Sequence, residues 1–312
     1  MNHWALFKRS ASILWRYKTL WVFGLLAALG GGFNLNWQVR DVRPMTDLPF
    51  GARELLRSLF SSSDFTALIG LGLALGVLAF LVSTFGQAAL ISMVNAIEAG
   101  QSVSVGAGTR AASSRFAPLL VVRFVLALPL LILGLLAAGS FFTAFSGWFD
   151  DAAAPRSIGL GALGAFTVLG GLSFIVGLLT SAVGIGAERA VVLENLPIGP
   201  ALAHGWRLLW SRFADYFAIA LIFLVLAIVV GIALACAFIP IFVATLIPNL
   251  AQLQSSPDIF LFVTNSAGPA LIIVLVIGLI IGSLVAVFTS SVWTLAYRRW
   301  QAALPVTPTA ST

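Results

Sequence analysis

Six long stretches of the chain contain no charged residue and are dominated by apolar side chains. They are Thr19–Val39, Phe65–Ile97, Phe124–Phe149, Ser157–Ala187, Tyr216–Pro257 and Ile259–Tyr297. An α-helix needs about 20 apolar residues to cross the hydrocarbon core of a bilayer. Backbone polar groups must be paired in lipid, and apolar runs without strict alternation exclude a transmembrane β-barrel. The pattern therefore predicts an all-α polytopic membrane protein with six transmembrane helices.

The composition supports this class, because 60% of the 312 residues are hydrophobic and only 9% are charged. Lysine and arginine gather on one side of the predicted spans. The residues on that side are Lys8, Arg9, Arg16, Lys18, Arg110, Arg115, Arg123, Arg189, Arg207, Arg212, Arg298 and Arg299. The positive-inside rule then places both termini on the cytoplasmic side of the membrane. The excess positive charge predicts contact with anionic lipid headgroups, and we expect no nucleic-acid partner.

A short basic-aromatic motif recurs along the chain. The tetrapeptide SRFA occurs at Ser114–Ala117 and at Ser211–Ala214, and Arg16 is followed by tyrosine in a similar setting. Each copy ends a segment of about a dozen residues and precedes a pair of predicted spans. We therefore predict one membrane domain of three tandem units, each an amphipathic cytoplasmic helix followed by a transmembrane hairpin. The units cover residues 1–99, 100–196 and 197–300, and residues 301–312 form a short flexible tail.

The segments before the first and third motifs are amphipathic at helical spacing. Their predicted apolar faces are Trp4, Phe7, Ala11 and Leu14 in the first, and Leu202, Trp206, Leu209, Trp210 and Phe213 in the third. Such helices lie in the headgroup plane, with cations toward phosphates and aromatic rings toward the acyl boundary. The candidate residues for binding lipid headgroups are accordingly Arg16, Arg115, Arg207 and Arg212.

Glycine spacing predicts which spans pack closely. The second and sixth runs contain the GxxxG segments Gly72–Gly76 and Gly278–Gly282, and the fourth run is rich in glycine. Small residues let helix backbones approach in a membrane. We therefore expect the even-numbered spans to form the inner set, and we expect Arg123, two turns into the third span, to extend toward the cytoplasmic face.

Residues that could carry chemistry are scarce. We find no ionisable side chain at predicted mid-membrane depth, where one would suggest an enzyme or a proton-coupled carrier. His3 and His204 have no cysteine or carboxylate at metal-ligand spacing, and no nucleotide or hydrolase motif is present. We therefore expect no catalytic, metal or cofactor site. Gln87, Asn95 and Thr289 could line a polar path between the even-numbered spans, although hydrogen bonding between helices explains such residues as well.

Several segments together resemble a known group of proteins. They are RYKTLWVFGLLAALGGG, AIEAGQSVSVGAGTR, AERAVVLENLPIGPALAHGWRLL and SSVWTLAYRRW. The chain is similar to six-span bacterial proteins related to the membrane domain of glycerophosphoryl diester phosphodiesterase and to the YciC-like membrane proteins. The resemblance implies an uncharacterised inner-membrane protein. Because only a short tail follows Arg299, we do not expect the phosphodiesterase activity of the fused members.

The sequence thus predicts a non-enzymatic integral membrane protein that interacts with lipids or organises the membrane. Its expected partners are anionic headgroups at the inner leaflet, together with a membrane protein or a second copy of the chain. The alternative is a transporter or channel for a neutral or lipid-like substrate, with its path between the even-numbered spans.

Overall fold

The computed structural model describes residues 3–30, 63–149, 156–255 and 268–302. Within these ranges the chain forms eight α-helices and no β-strand, which confirms the predicted all-α class. The helices are α1 (His3–Arg16), α2 (Thr19–Leu29), α3 (Ser63–Glu98), α4 (Val105–Phe149), α5 (Arg156–Glu194), α6 (Ile198–Ser211), α7 (Phe213–Ser255) and α8 (Gly268–Ala302).

Five of these helices, α3, α4, α5, α7 and α8, are long and apolar enough to cross a membrane. The chain is therefore a membrane protein with at least five candidate spans. Helix α2 is apolar but has only 11 residues. The remainder of the first predicted span, from residue 31 onward, lies outside the described residues, so the sixth span stays a prediction.

The two 14-residue helices, α1 and α6, and one end of every long helix meet in one region, which we call the polar end. It comprises α1, α6, the last turns of α3, α5 and α8, and the first turns of α4 and α7. The contacts that define it are Arg9 with Glu98, Arg298 with Asn95, Arg115 with Asn195, and His204 with Tyr297. Because residues 105 and 198 both begin helices here, the linkers before α4 and α6 lie on the same side of the bundle.

The hydrophobic core lies in the half of the bundle next to the polar end. Leu90 and Ile91 of α3 and Tyr297 of α8 are completely buried there. Tyr216 of α7 packs against two tryptophan rings of α8, with ring centroids 4.8 Å and 5.3 Å apart. Farther from the polar end, α4, α5 and α7 expose leucine, isoleucine, valine and phenylalanine side chains. An apolar surface of this extent is suited to lipid rather than water.

Helix α2 packs between α3 and α8, and the helices approach each other most closely at glycines, which have no side chain to separate them. A Cβ atom on Gly86 of α3 would lie 2.8 Å from the carbonyl oxygen of Phe23. A Cβ atom on Gly24 of α2 would lie 2.7 Å from the carbonyl oxygen of Ser283, whose hydroxyl donates a hydrogen bond of 2.8 Å to the carbonyl of Trp21. Backbone contact this close is available only to glycine.

The glycine-based packing prediction is only partly right. Gly72 and Gly76 have no neighbouring atom within 4 Å of a Cβ position, so this GxxxG segment contacts nothing among the described residues, whereas Gly282 approaches Ala28 of α2. The expected inner set of even-numbered spans is also too broad. Half of the most apolar stretch of α3 is buried, but only 11% of the corresponding stretch in α5 and in α8. The glycine-rich outer part of α5 therefore faces outward.

The three predicted units differ in their first elements. In the first and third units a short helix ends at Arg16 or Ser211 and a second helix starts within a few residues. In the middle unit α4 continues without a break from Val105 to Phe149, through Pro118. The first SRFA copy therefore lies inside a helix, and only the second marks a change of helix. The division into tandem units stays a prediction.

Helices α1 and α6 are amphipathic, but each is rotated relative to the predicted face. The buried residues are Leu6, Ser10, Ile13 and Leu14 in α1, and Ala201, Gly205, Leu208 and Leu209 in α6. The tryptophans of the predicted faces stay exposed, with Trp4 at 79% and Trp210 at 56%. Each short helix therefore presents a second apolar strip away from the bundle.

Candidate functional site

Ion pairs at the polar end join helices that are distant in sequence. Arg9 of α1 donates a hydrogen bond of 2.8 Å to Glu98 at the end of α3. Arg123 of α4 donates one of 2.7 Å to Glu188 of α5, and both side chains are largely buried. Arg123 therefore does not extend freely toward the cytoplasmic face, as its position in the sequence suggested, because a carboxylate on the neighbouring helix neutralises its charge.

Glu194, the last residue of α5, is the centre of a hydrogen-bond cluster involving three helices. Its carboxylate accepts hydrogen bonds from the hydroxyl of Tyr297 and the amide of Gln301, both on α8. His204 of α6 lies with Nε2 3.2 Å from the Tyr297 hydroxyl. The cluster fixes α6 against the ends of α5 and α8. No group of three metal-ligating side chains that could hold a metal ion occurs among the described residues.

Arg189, one of the arginines predicted to lie on the cytoplasmic side of the spans, is a buried cation. Its side chain on α5 is 1% exposed. The guanidinium donates a hydrogen bond of 2.8 Å to the carbonyl oxygen of Ile185 and lies 3.5 Å from the carbonyl oxygen of Ser290 on α8. Its Nε atom has no hydrogen-bond partner among the described residues. Burying a guanidinium without a paired carboxylate is costly. The adjacent Glu188 gave the appearance of a local pair, but that carboxylate is bonded to Arg123.

Three hydroxyl groups of α8 lie at or close in sequence to Ser290, whose carbonyl the Arg189 guanidinium approaches. The Oγ atoms of Ser290 and Ser291 and the Oγ1 atom of Thr294 are buried and make no hydrogen bond within the described part of the chain. By contrast, the serine and threonine hydroxyls of α3 bond to carbonyls of their own helix, as Thr84 does to Phe80. Arg189 and these α8 hydroxyls form the least satisfied polar region of the described core.

The four arginines predicted to bind lipid headgroups fall into two groups. Arg16 and Arg207 are exposed, and Arg212 is half-buried at the junction of α6 and α7. None of the three has an ion pair within the described ranges, and Arg16 makes one cation–π contact, 5.9 Å from the centroid of Tyr17. Arg115 instead donates a hydrogen bond to Asn195, a neutral partner that leaves its charge uncompensated.

Exposed tryptophans accompany the exposed arginines. Trp206 and Trp210 of α6 flank Arg207 in sequence, and their rings contact each other at 5.9 Å. Trp15 next to Arg16 is 64% exposed and has an edge contact with Trp21. Tryptophan beside arginine or lysine at the end of a membrane bundle is typical of the headgroup region. Helices α1 and α6 thus each expose a cation next to indole rings at the polar end.

The residues of the alternative polar path are half-buried and separate. Gln87 lies on α3 and Thr289 on α8, and neither side chain hydrogen-bonds with another described residue. Asn95 accepts a hydrogen bond of 3.0 Å from Arg298, but through its backbone carbonyl. The interaction joins the ends of α3 and α8. It leaves the Asn95 amide available to another group.

Comparison with protein families gives a match over almost the whole chain. No curated protein and no solved structure matches it. The matched family is described as "Domain of unknown function (DUF7847)" and covers residues 1–300, from the start of the chain to the last turns of α8. That range includes all the polar-end contacts described above except the one made by Gln301. The chain therefore belongs to the DUF7847 family.

Proposed function

We propose that the protein is a non-enzymatic integral membrane protein that binds anionic lipid headgroups at its polar end. The observation that carries the proposal is the paired exposure of cations and tryptophans on α1 and α6. Arg16, Arg207 and Arg212 have no carboxylate partner among the described residues, whereas Arg9 and Arg123 do. A phosphate is the group that such unpaired cations bind at a membrane surface.

The local net charge supports the same partner. The polar-end helices carry twelve basic and four acidic residues, a net charge of +8. Two of the four carboxylates, Glu98 and Glu188, already pair with arginines. We propose a bacterial cytoplasmic membrane as the location, with both termini and the polar end on the cytoplasmic side, because positive charge near spans favours that side.

The test is native mass spectrometry of the purified full chain, comparing retained anionic and zwitterionic phospholipids. The variant Arg16→Gln/Arg207→Gln/Arg212→Gln removes three cations from the polar end. Each basic residue near an anionic surface contributes roughly 1 kcal/mol, so retention of anionic lipid should fall strongly while zwitterionic lipid is unaffected. A control that changes Arg40, Arg43 and Arg53 to glutamine loses the same charge from the predicted opposite side. Equal retention by both triple variants would refute the proposal.

A second candidate function is transport of a neutral or lipid-like substrate, and the buried polar region of α8 favours it. Hydroxyls without partners beside Arg189 are costly unless something binds them. In this case the path would pass Gln87, Asn95 and Thr289. Flux in proteoliposomes that is lost in Gln87→Leu but retained in the arginine triple variant would favour transport over headgroup binding.

A further inference from the structure

A lateral cleft of about 730 Å³ opens between α1, α7 and α8. Helix α1 contributes Trp4, Phe7 and Ala11, and α7 contributes Ile222 and Leu226. Trp4, Phe7 and Ala11 belong to the strip that the sequence predicted as the apolar face of α1. The structure covers this strip only in part, because α1 faces the bundle with Leu6 and Ile13; Phe7 and Ala11 are half-buried and Trp4 is exposed. The volume is within the range of about 300–1,000 Å³ found for ligand cavities.

Phe7 and Phe288 line the inner wall of the cleft, and the ring of Phe223 packs against both of them. Phe7 of α1 lies 5.5 Å from Phe223 of α7 and 5.9 Å from Phe288 of α8, measured between ring centroids. Phe223 and Phe288 are 6.1 Å apart in an edge contact. Each ring thus touches the other two at the distances of favourable aromatic pairs. The inner wall offers apolar contact and no hydrogen-bonding group.

Among the described residues that line the cleft, Lys8 is the one that carries a charge. Its side chain is exposed and has no ion pair among the described residues. Its neighbours do not compensate it, because Glu98 pairs with Arg9, and Asp215 lies 3.8 Å from His3. A cation at the border of an otherwise apolar cleft suits a ligand that has an acyl or similar chain next to a negative charge.

We propose that this cleft binds one anionic phospholipid, with an acyl chain between α1 and α7 and the headgroup phosphate at Lys8. The proposal rests on the lipid-binding function above and assigns it a second, distinct site, because none of the three headgroup arginines lines the cleft. Ile222 and Leu226 lie on a candidate membrane span, so the cleft opens where acyl chains are present. The phosphate pairs with the Lys8 cation, and the acyl chain covers the apolar walls of the cleft.

A second copy of the chain fits the cleft less well than a lipid does. Two copies in one membrane share their orientation, so side-by-side contact would bring two polar ends of net charge +8 together. Lys8 would then face a surface rich in arginine, and like charges in contact are unfavourable. An anionic lipid supplies the opposite charge at the same depth.

The experiment is photo-crosslinking of the full chain in bilayers that contain phosphatidylglycerol or phosphatidylcholine with the same diazirine-labelled acyl chain. Peptide mass spectrometry locates the labelled residues. We expect labelling of residues 4–11 and 222–226 above that of Leu131 and Leu135 on the exposed face of α4. We also expect about fivefold more cleft labelling by phosphatidylglycerol, the effect of one cation at an anionic headgroup.

Matched variants separate the two parts of the proposal. Lys8→Gln should remove the headgroup preference and keep the acyl labelling, whereas Lys18→Gln, away from the cleft, should change neither. Leu226→Trp, or Ala11→Leu as a smaller obstruction, should reduce cleft labelling by both lipids. Leu224→Trp is the control, because Leu224 is exposed on the same helix but does not line the cleft.

Three results would overturn the proposal. Cleft labelling no higher than at Leu131 and Leu135 would show that no acyl chain is bound. Equal labelling of wild type by both lipids would show that Lys8 does not select an anionic headgroup. Crosslinks from the cleft to another protein chain would identify a second copy as the occupant. If any of these occurs while the arginine triple variant still loses anionic lipid, the cleft assignment fails and the general lipid-binding proposal stands.

Discussion

The close approach of α6 to α5 gives the sharpest test of how the polar end is built. A Cβ atom on Gly205 of α6 would lie 2.5 Å from the carbonyl oxygen of Val183 and 2.9 Å from the amide nitrogen of Ala187. Both atoms belong to the backbone of α5, so no rotamer change can relieve the contact. The variant Gly205→Ala must therefore move α6 outward, which also stretches the contact between His204 and Tyr297.

The cost of this variant can be bounded. Overpacking a close interface costs about 1–3 kcal/mol. Replacing glycine by alanine inside a helix returns up to about 1 kcal/mol of helix propensity. Gly199 on the same helix provides the control, because a Cβ atom there meets nothing within 4 Å. The difference between Gly205→Ala and Gly199→Ala should therefore be about 1–3 kcal/mol, since propensity favours both and overpacking affects one.

The measurement is thermal unfolding of both variants in the same detergent, followed by tryptophan fluorescence. We expect Gly205→Ala to unfold several degrees below wild type and Gly199→Ala to unfold at or slightly above it. Gly186→Ala on α5 should resemble Gly205→Ala, because its Cβ atom would lie 2.9 Å from the Cα atom of Gly205. Equal midpoints for Gly205→Ala and Gly199→Ala would show that α6 does not pack on α5 at this distance.

Three further predictions concern other contacts. Gly86→Ala should lower the unfolding midpoint, because its Cβ atom would meet the backbone of α2. Gly76→Ala is the control, because a Cβ atom there meets nothing within 4 Å. Equal midpoints for the two variants would contradict the packing of α2 on α3. A double-mutant cycle of Arg123→Gln and Glu188→Gln should give a coupling energy of about 1–2 kcal/mol, a value between those of fully exposed and fully buried ion pairs. A coupling energy near zero would contradict the ion pair. Tyr297→Phe should cost about 1–2 kcal/mol in chemical unfolding, because the Glu194 carboxylate loses a hydrogen-bond donor, and an unchanged stability would show that this bond is not formed.

Hydrophobic runs predicted the long helices well, because the bilayer requires the same length and apolar character of every span. They did not predict which face of a short helix turns inward. Around α1 both the bundle and the lipid are apolar, so hydropathy cannot distinguish Trp4 and Ala11 from Leu6 and Ile13. Only the packing of α1 against the bundle, mainly against α8, determines that Leu6 is buried and Trp4 is exposed.

Two features of the candidate site were beyond sequence reasoning for a different reason. Arg189 follows Glu188 directly, and adjacent opposite charges suggest a surface pair, yet consecutive helical residues point in different directions. Glu188 therefore faces Arg123 while Arg189 faces Ser290. Likewise, GxxxG spacing indicates where a close contact is sterically possible, but it predicted only the approach of Gly282 to Ala28; the contacts with a neighbouring backbone at Gly86, Gly186 and Gly205 lie outside that motif.

The unbroken length of α4 determines how far the protein reaches beyond the bilayer. Its 45 residues measure about 67 Å, roughly twice the thickness of the hydrocarbon core. The portion from Arg123 to Phe149 spans about 40 Å and is enough to cross the membrane by itself. The five turns before Arg123 are therefore not needed to cross the bilayer, and they extend the bundle past the hydrocarbon core instead, because Ala112 and Leu119 in these turns are completely buried against neighbouring helices.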